Sequence, residues 1–219
     1  MSTGLQLVLA ALGSALLGSI PFSLLIARFA GGIDLRKVGS GNVGATNVAR
    51  TLGWKWGTLA LLCDAAKGVV PVLLFPALMT TASPGLDNER VLCGVCAILG
   101  HMFPPWLGFK GGKGVATALG VVTVLAPAGT GIACLAFIVT FALSRIVSLS
   151  SIVAALSYAI AEVVLHGSDL WGPQTWGLGA FAIAIPLLII YRHRTNIVRL
   201  WHGQEPRLQL KKKTGEPEV

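Results

Sequence analysis

Four short polar stretches interrupt this apolar chain, and each carries residue types suited to holding an anion. The first is Ser40-Gly41-Asn42-Val43-Gly44-Ala45-Thr46-Asn47, with Arg50 about one helical turn further on. Its glycines permit a tight turn whose amides converge, Asn47 or Thr46 can cap a following helix, and Arg50 adds a cation. That combination describes an oxyanion or phosphate cradle; the plainer alternative is a loop with a good N-cap. The second stretch runs from His101 to Thr117 and contains Gly111-Gly112-Lys113-Gly114. Two glycines beside a lysine at a helix start offer a phosphate site with Lys113 as the point charge. The third groups Arg145 with Ser148, Ser150 and Ser151, either hydrogen-bond donors beside a cation or a membrane anchor with an N-cap. In the fourth, helical spacing puts His193 and Asn196 on one face and Ile197 and Leu200 on the adjoining one. Such a segment can lie along a surface with its polar groups turned toward a site; read alone, it is charge at a membrane boundary.

Several familiar chemistries fail on context. Gly39 to Gly44 fits G-x-G-x-x-G and Asp64 follows about twenty residues later, but no strand pattern precedes the loop and Asp64 lies inside an apolar run. Lys113 is followed by Gly114, where a Walker A loop needs a magnesium-binding Ser or Thr. None of His101, His166, His193 and His202 has an acid five positions on, so no His-Asp acyltransferase pair is present. Cys63, Cys93, Cys96 and Cys134 all sit in apolar runs and read as small buried hydrophobes, so neither a disulfide nor a zinc site is expected. No other metal and no cofactor is implied. Asp64 and Lys67, three apart in an apolar run, form a plausible intramembrane ion pair, either architectural or a support for the site.

The elements that must position these residues follow from hydropathy. Of 219 residues, 54% are apolar and 12% charged, with a mean hydropathy of +0.75, too much apolar surface for a soluble core to hide. The polar breaks leave seven candidate spans, at 5–29, 56–79, 91–104, 114–127, 130–144, 147–165 and 177–191. The third, fourth and fifth are short for a hydrocarbon core of ~30 Å. The fold class is therefore an all-α integral membrane protein of about seven transmembrane helices, forming a single domain over 1–208. Residues 209–219 read as a basic, disordered tail. The net charge of +8 concentrates in alternate loops, which places the N-terminus outside and the C-terminus in the cytoplasm and excludes nucleic acid as the partner. Spans two, four and six then begin at the cytoplasmic face, each opened by one of the polar motifs, with its dipole's positive end toward them.

In order and spacing, GSGNVGATN with Arg50 after it, GHMFPPWLGFKGGKGVAT, the serines after Arg145, and HRTNIVRLWHGQE resemble the motifs of the bacterial acyl-phosphate:glycerol-3-phosphate acyltransferases, the PlsY family. The resemblance covers essentially the whole chain. It implies transfer of an acyl group from a fatty acyl phosphate to the 1-hydroxyl of sn-glycerol 3-phosphate at the inner membrane, giving lysophosphatidic acid and inorganic phosphate, the first step of phospholipid synthesis. The expected partners are those two substrates and membrane lipid. The resemblance also implies substrate-assisted chemistry, with a substrate phosphate taking the hydroxyl proton. On this reading Ser40, Arg50, Lys113, His193 and Asn196 carry the reaction. Gly41, Asn42, Gly44, Thr46, Asn47, Gly111, Gly112, Arg145, Ser148, Ser150 and Ser151 bind substrate and phosphate. The competing readings are a small anion or phosphate-ester transporter, which also aims helix ends at anions, and a membrane scaffold without chemistry.

Overall fold

The computed structural model describes residues 2–79 and 86–208; part of the loop 81–90 and the tail 209–219 lie outside the described residues. Among the described residues every regular element is helical: α1 (Thr3–Ser19), α2 (Phe22–Gly31), α3 (Ala45–Leu52), α4 (Trp54–Ala77), α5 (Leu86–Met102), α6 (Val115–Leu125), α7 (Pro127–Ser144), α8 (Val147–His166), α9 (Trp176–Arg192) and α10 (Arg194–Trp201). All seven apolar stretches of the sequence are helical. Five are long and apolar enough to cross a membrane, α9 and α10 form a pair bent by 60°, and α6 is a short apolar helix. At 1.5 Å per residue, an 11-residue α6 reaches only about halfway through a ~30 Å core. The other two segments read as short are longer than hydropathy indicates. The α5 stretch of Asn88–Leu107 and α7 are 20 and 18 residues long, because α5 takes in the polar Asn88-Glu89-Arg90 turn and α7 opens on Pro127.

The first apolar stretch is broken rather than continuous. Proline has no N–H to continue the ladder, and the chain leaves helical geometry at Ile20 and Pro21. The break exposes the carboxyl end of α1 and the amino end of α2 within the bundle, and α4 supplies a charge for each. Lys67 Nζ donates to Ile20 O at 2.7 Å, Ser23 Oγ donates to Asp64 Oδ2 at 2.7 Å, and the two charges pair at 3.0 Å. A cation at a helix carboxyl end and an anion at an amino end are the favourable pairings with the two dipoles.

Close backbone approach sets the rest of the bundle. A Cβ on Gly18 would meet the backbone of Ala97, and one on Gly100 that of Ala15, so α1 and α5 touch through glycine at both crossings. Gly68 and Gly120 do the same between α4 and α6, against Thr117 and Ala65. Val72, Ile98, Met102, Val121, Phe181 and Ile185 fill the space between these helices, while α7 leaves Leu135, Ile138 and Leu143 outward, as lipid contact requires.

Two helix starts differ from the sequence reading. The first motif opens α3, a separate helix of 8 residues, not the second span, and its N-cap is Gly44. Asn47 and Thr46 lie inside that helix, so neither caps it. The serine cluster is also inside its helix: Ile146 is the N-cap of α8, and Ser148, Ser150 and Ser151 follow it.

Candidate active site

Loop one, residues 39–44, is organised by a single side chain. Asn47, 1% exposed, points back from α3 into the loop; its Oδ1 accepts the Ser40 N–H at 3.0 Å. Its Nδ2 donates to the carbonyls of Leu35 and Val38 at 3.1 Å and of Asn42 at 3.0 Å. Gly39 and Gly41 occupy the left-handed region, at φ 59° and 70°, which a residue with a Cβ enters at a cost. Buried Leu35, Val43 and Val48 seat loop and helix on α2 and α4. Ser40 is left exposed at the tip, and Thr46, in the first turn of α3 after Gly44, is half-buried.

Loop two, residues 108–114, is held differently. The amides of Gly111 and Gly112 donate to Met102 O at 3.1 Å and His101 O at 3.2 Å, the last carbonyls of α5. Their own carbonyls accept from Arg192 Nη2 at 2.9 and 2.8 Å. The two amides are therefore engaged within the protein, unlike those of a nucleotide-binding glycine loop. The glycines are required by space: a Cβ on Gly112 would strike the His101 ring, and one on Gly111 would strike His101 O and Pro104. Gly114, at φ 83°, caps α6 directly after Lys113.

Lys113 reaches across to the α9–α10 bend. Its ammonium donates to Asn196 Oδ1, whose Nδ2 donates to Glu205 Oε1 at 2.5 Å. Ser148 Oγ donates to the same oxygen at 2.7 Å, and Arg199 Nε to Glu205 Oε2 at 2.7 Å. Burial is the first cause of a Lys113 pKa lowered to about 8; the Glu205 charge opposes it, and Arg199, Arg192 and Arg50 reinforce it. Glu205 itself is raised by burial, but its three hydrogen bonds outweigh that and hold the carboxyl below its usual range. His193, 2% exposed, stands at the bend with Nδ1 2.8 Å from Ile189 O. Since a carbonyl only accepts, Nδ1 carries the hydrogen, and Nε2 of the neutral ring is the free acceptor.

Between loops one and two lies an open cleft of about 340 Å³ lined by Arg36, Gly41, Asn42, Lys110, Gly111 and Arg192, with Val43 and Phe109. Asp34 holds Arg36 in a two-point pair, Nη2 to Oδ2 at 2.7 Å. The structure thus brings Lys113, His193, Asn196 and Ser148 together, with Arg50 near enough to act on the Lys113 charge. It does not bring Ser150 and Ser151 with them. Their hydroxyls donate to Ile146 O at 2.9 Å and Val147 O at 2.8 Å, one turn back in α8. Arg145 is exposed and left-handed at φ 58°, capping α7, and its carbonyl accepts the Leu208 N–H. Sequence reasoning missed Glu205 and Arg192. Glu205 carries a signal nonetheless, as the sole acid between Arg192 and Lys213; Arg192 reads simply as boundary charge.

A helical membrane bundle that gathers half-buried cations, a buried amide and a buried imidazole at one set of helix ends defines an enzyme-like site for anionic substrates beside lipid. Residues 8–203 match the family model described as glycerol-3-phosphate acyltransferase. Curated relatives of that description include proteins of Paramagnetospirillum magneticum, 48% identical with 96% of this chain and 98% of the relative covered, and of an Anaeromyxobacter species, 43% identical with 95% and 98% covered. Among solved structures, the glycerol 3-phosphate form of PlsY, an integral membrane glycerol 3-phosphate acyltransferase, is 42% identical with a TM-score of 0.81 over 93% of this chain and 96% of that one. Its lysophosphatidic acid form is 40% identical, with a TM-score of 0.79 over the same shares. The chain belongs to the glycerol-3-phosphate acyltransferase family and is an acyltransferase.

Proposed function

We propose that the acyl donor is a fatty acyl phosphate, so that the reaction gives 1-acyl-glycerol 3-phosphate and inorganic phosphate. The observation that carries this reading is that Lys113, Arg50 and Arg192 act on one partly buried site beside the Arg199–Glu205 pair, leaving more positive charge than a single phosphate needs. Two phosphate-bearing substrates bound together account for it.

The chemistry follows from that charge and from the groups beside it. The acceptor's 1-hydroxyl attacks the acyl carbonyl; a new ester C–O bond forms as the acyl C–O(phosphate) bond breaks. The proton passes from the hydroxyl to a substrate phosphate oxygen, and hydrogen phosphate leaves. His193 Nε2 and the Asn196 amide orient the hydroxyl, which converts an encounter into a positioned attack. Lys113 and Arg50 stabilise charge that grows on the leaving phosphate, and Ser40 offers a hydroxyl at the tip of loop one. The acyl tail stays among the lipid-facing helices.

The excess of Lys and Arg in the loops that carry the site supports a cytoplasmic position for this face and an N-terminus outside, and in this reading the membrane is the bacterial inner membrane. In this reading one domain spans 1–208, and Ser150 and Ser151 act through the shape of the α8 start. The reaction contributes the first acyl chain of a phospholipid.

The assay is direct. Protein purified in detergent receives palmitoyl phosphate and glycerol 3-phosphate, and phosphate release is measured alongside lysophosphatidic acid. Equal release of both is expected; no phosphate release from the acyl phosphate would remove this donor. A His193→Asn variant is expected to be slower with an unchanged pH–rate profile, because the proton goes to substrate. Loss of a pH limb in that variant would make His193 the base.

A further inference from the structure

Gly111 lines the large cleft and also a second cavity of about 10 Å³, whose other walls include Ser19, Pro21, Asp64, Lys67 and His101. The reaction makes no use of these charged groups. Asp64 and Lys67 are almost wholly buried, clamped to each other, to Ser23 and to Ile20 O at the break between α1 and α2. His101, in the last turn of α5, turns one ring edge to this pair, with Nδ1 3.8 Å from Asp64 Oδ1. Its other edge lies against Gly112, where a Cβ would collide with Nε2. Its carbonyl holds the Gly112 amide. The ring and the end of α5 are thus the floor of loop two, and the buried ion pair faces the far side of that floor.

A buried ion pair is poor evidence for stability, because apolar replacements of similar volume are often neutral. Ionisable groups inside a membrane are costly and serve a purpose where they occur. We infer that Asp64, Lys67 and His101 form a positioning group that fixes the Gly111–Gly112 turn in the geometry that presents Lys113 to a substrate phosphate. The carboxylate, held by Ser23 and Lys67, stands beside the imidazole beyond hydrogen-bond reach, and His101 Nδ1 is buried without a hydrogen-bond partner, so the pair acts on the ring through charge and packing. The imidazole sets how closely Gly112 can approach α5. The following residue is Lys113. The inference rests on a phosphate-binding cleft and not on the identity of the acyl donor.

Single substitutions at Asp64 or Lys67 leave an uncompensated buried charge and can prevent folding, so the informative variant removes both: Asp64→Asn with Lys67→Met. Its melting temperature in detergent is expected within about 5 °C of wild type. Binding of radiolabelled glycerol 3-phosphate is expected to weaken at least about tenfold, and kcat to fall by a similar factor, because a displaced Lys113 also loses its hold on the leaving phosphate. A folded double variant that binds and turns over like wild type would overturn the inference. A second measurement covers the case in which that variant does not fold. Gly112→Ala pushes a methyl into the imidazole and is expected to weaken binding about tenfold, and His101→Ala is expected to restore at least half of that loss on a logarithmic scale. Independent, additive losses would equally overturn the inference. Wild-type protein that bound glycerol 3-phosphate but released no phosphate from palmitoyl phosphate would remove only the donor, since these tests read binding.

Discussion

Loops one and two flank the same cleft and are both glycine-rich, yet they are held by opposite means. Loop one is wired locally: Asn47, seven residues from Ser40, makes two hydrogen bonds to its backbone and two to the carbonyls of Leu35 and Val38 just before it. Loop two is wired from afar, by Arg192 some eighty residues on and by the α5 end beneath it. A locally closed loop keeps its shape whatever the bundle does. A remotely closed loop has the shape its neighbours impose, so the placement of Lys113 depends on the packing of α4, α5 and α9.

The largest effect expected from breaking this contrast is at Lys113 itself. Lys113→Met keeps the length and apolar stem but removes the cation, and turnover with acyl phosphate should fall at least about a hundredfold through lost transition-state stabilisation. Activity within a few-fold of wild type would show that the lysine only anchors loop two to Asn196. Next comes Asn47→Ala, which strands the Ser40 amide and three carbonyls; at about 1–3 kcal/mol for a buried unsatisfied group, kcat/KM should fall about thirtyfold and α3 should become protease-sensitive. Asn47→Asp restores only the acceptor and should recover little. Arg192→Gln is expected to be milder, about tenfold in KM for a phosphate substrate with kcat little changed, because the turn keeps its two amide bonds to α5. If Arg192→Gln costs more than Asn47→Ala, the contrast between the loops is wrong.

The same contrast explains what could be read from sequence. Seven apolar segments and the four polar motifs between them are local or periodic features, and hydropathy with glycine placement reveals them. The role of Asn47 was partly legible: its type marks a backbone-bonding residue, but capping and loop-tying look alike in a string of letters. The break at Pro21 went unread within the span 5–29, because a proline inside an apolar run need not end a helix: Pro71 sits inside α4 without ending it. What pattern could not give is contact between segments far apart in the chain. Gly111 and Gly112 look like a phosphate-binding turn until His101 and Arg192 are seen to occupy their amides and carbonyls. Ser148, Ser150 and Ser151 look equivalent until α8 turns one toward Glu205 and the others onto their own helix. Glu205 gains a role only because the turn at Gly203, after α10, folds it back against Asn196 and Arg199.

The finest test of the remote wiring is the pH dependence of Lys113. Burial among Arg50, Arg192 and Arg199 brings its pKa to about 8, and the charged form is the one that stabilises phosphate. Lowering a lysine pKa favours the neutral form, so the cation is complete below that value and lost as pH rises through it. The kcat/KM profile should therefore fall on the alkaline side with a midpoint near 8. A bound phosphate dianion restores the charged form, so the kcat limb should lie higher than the kcat/KM limb. Between pH 7 and 9 the loss in kcat/KM should be about tenfold, smaller than any substitution that removes the charge outright. Stability should move the other way. The unfolded lysine, with a pKa near 10.5, binds more protons than the folded one between about 8 and 10.5, so this residue's contribution makes the protein more stable as pH rises through that window. The Arg192→Gln variant sharpens the test, because removing one neighbouring cation should shift the kcat/KM limb upward. A limb that stays in place would mean that the Arg192 charge is not felt at Lys113 and that Arg192 acts on loop two only through its two carbonyls.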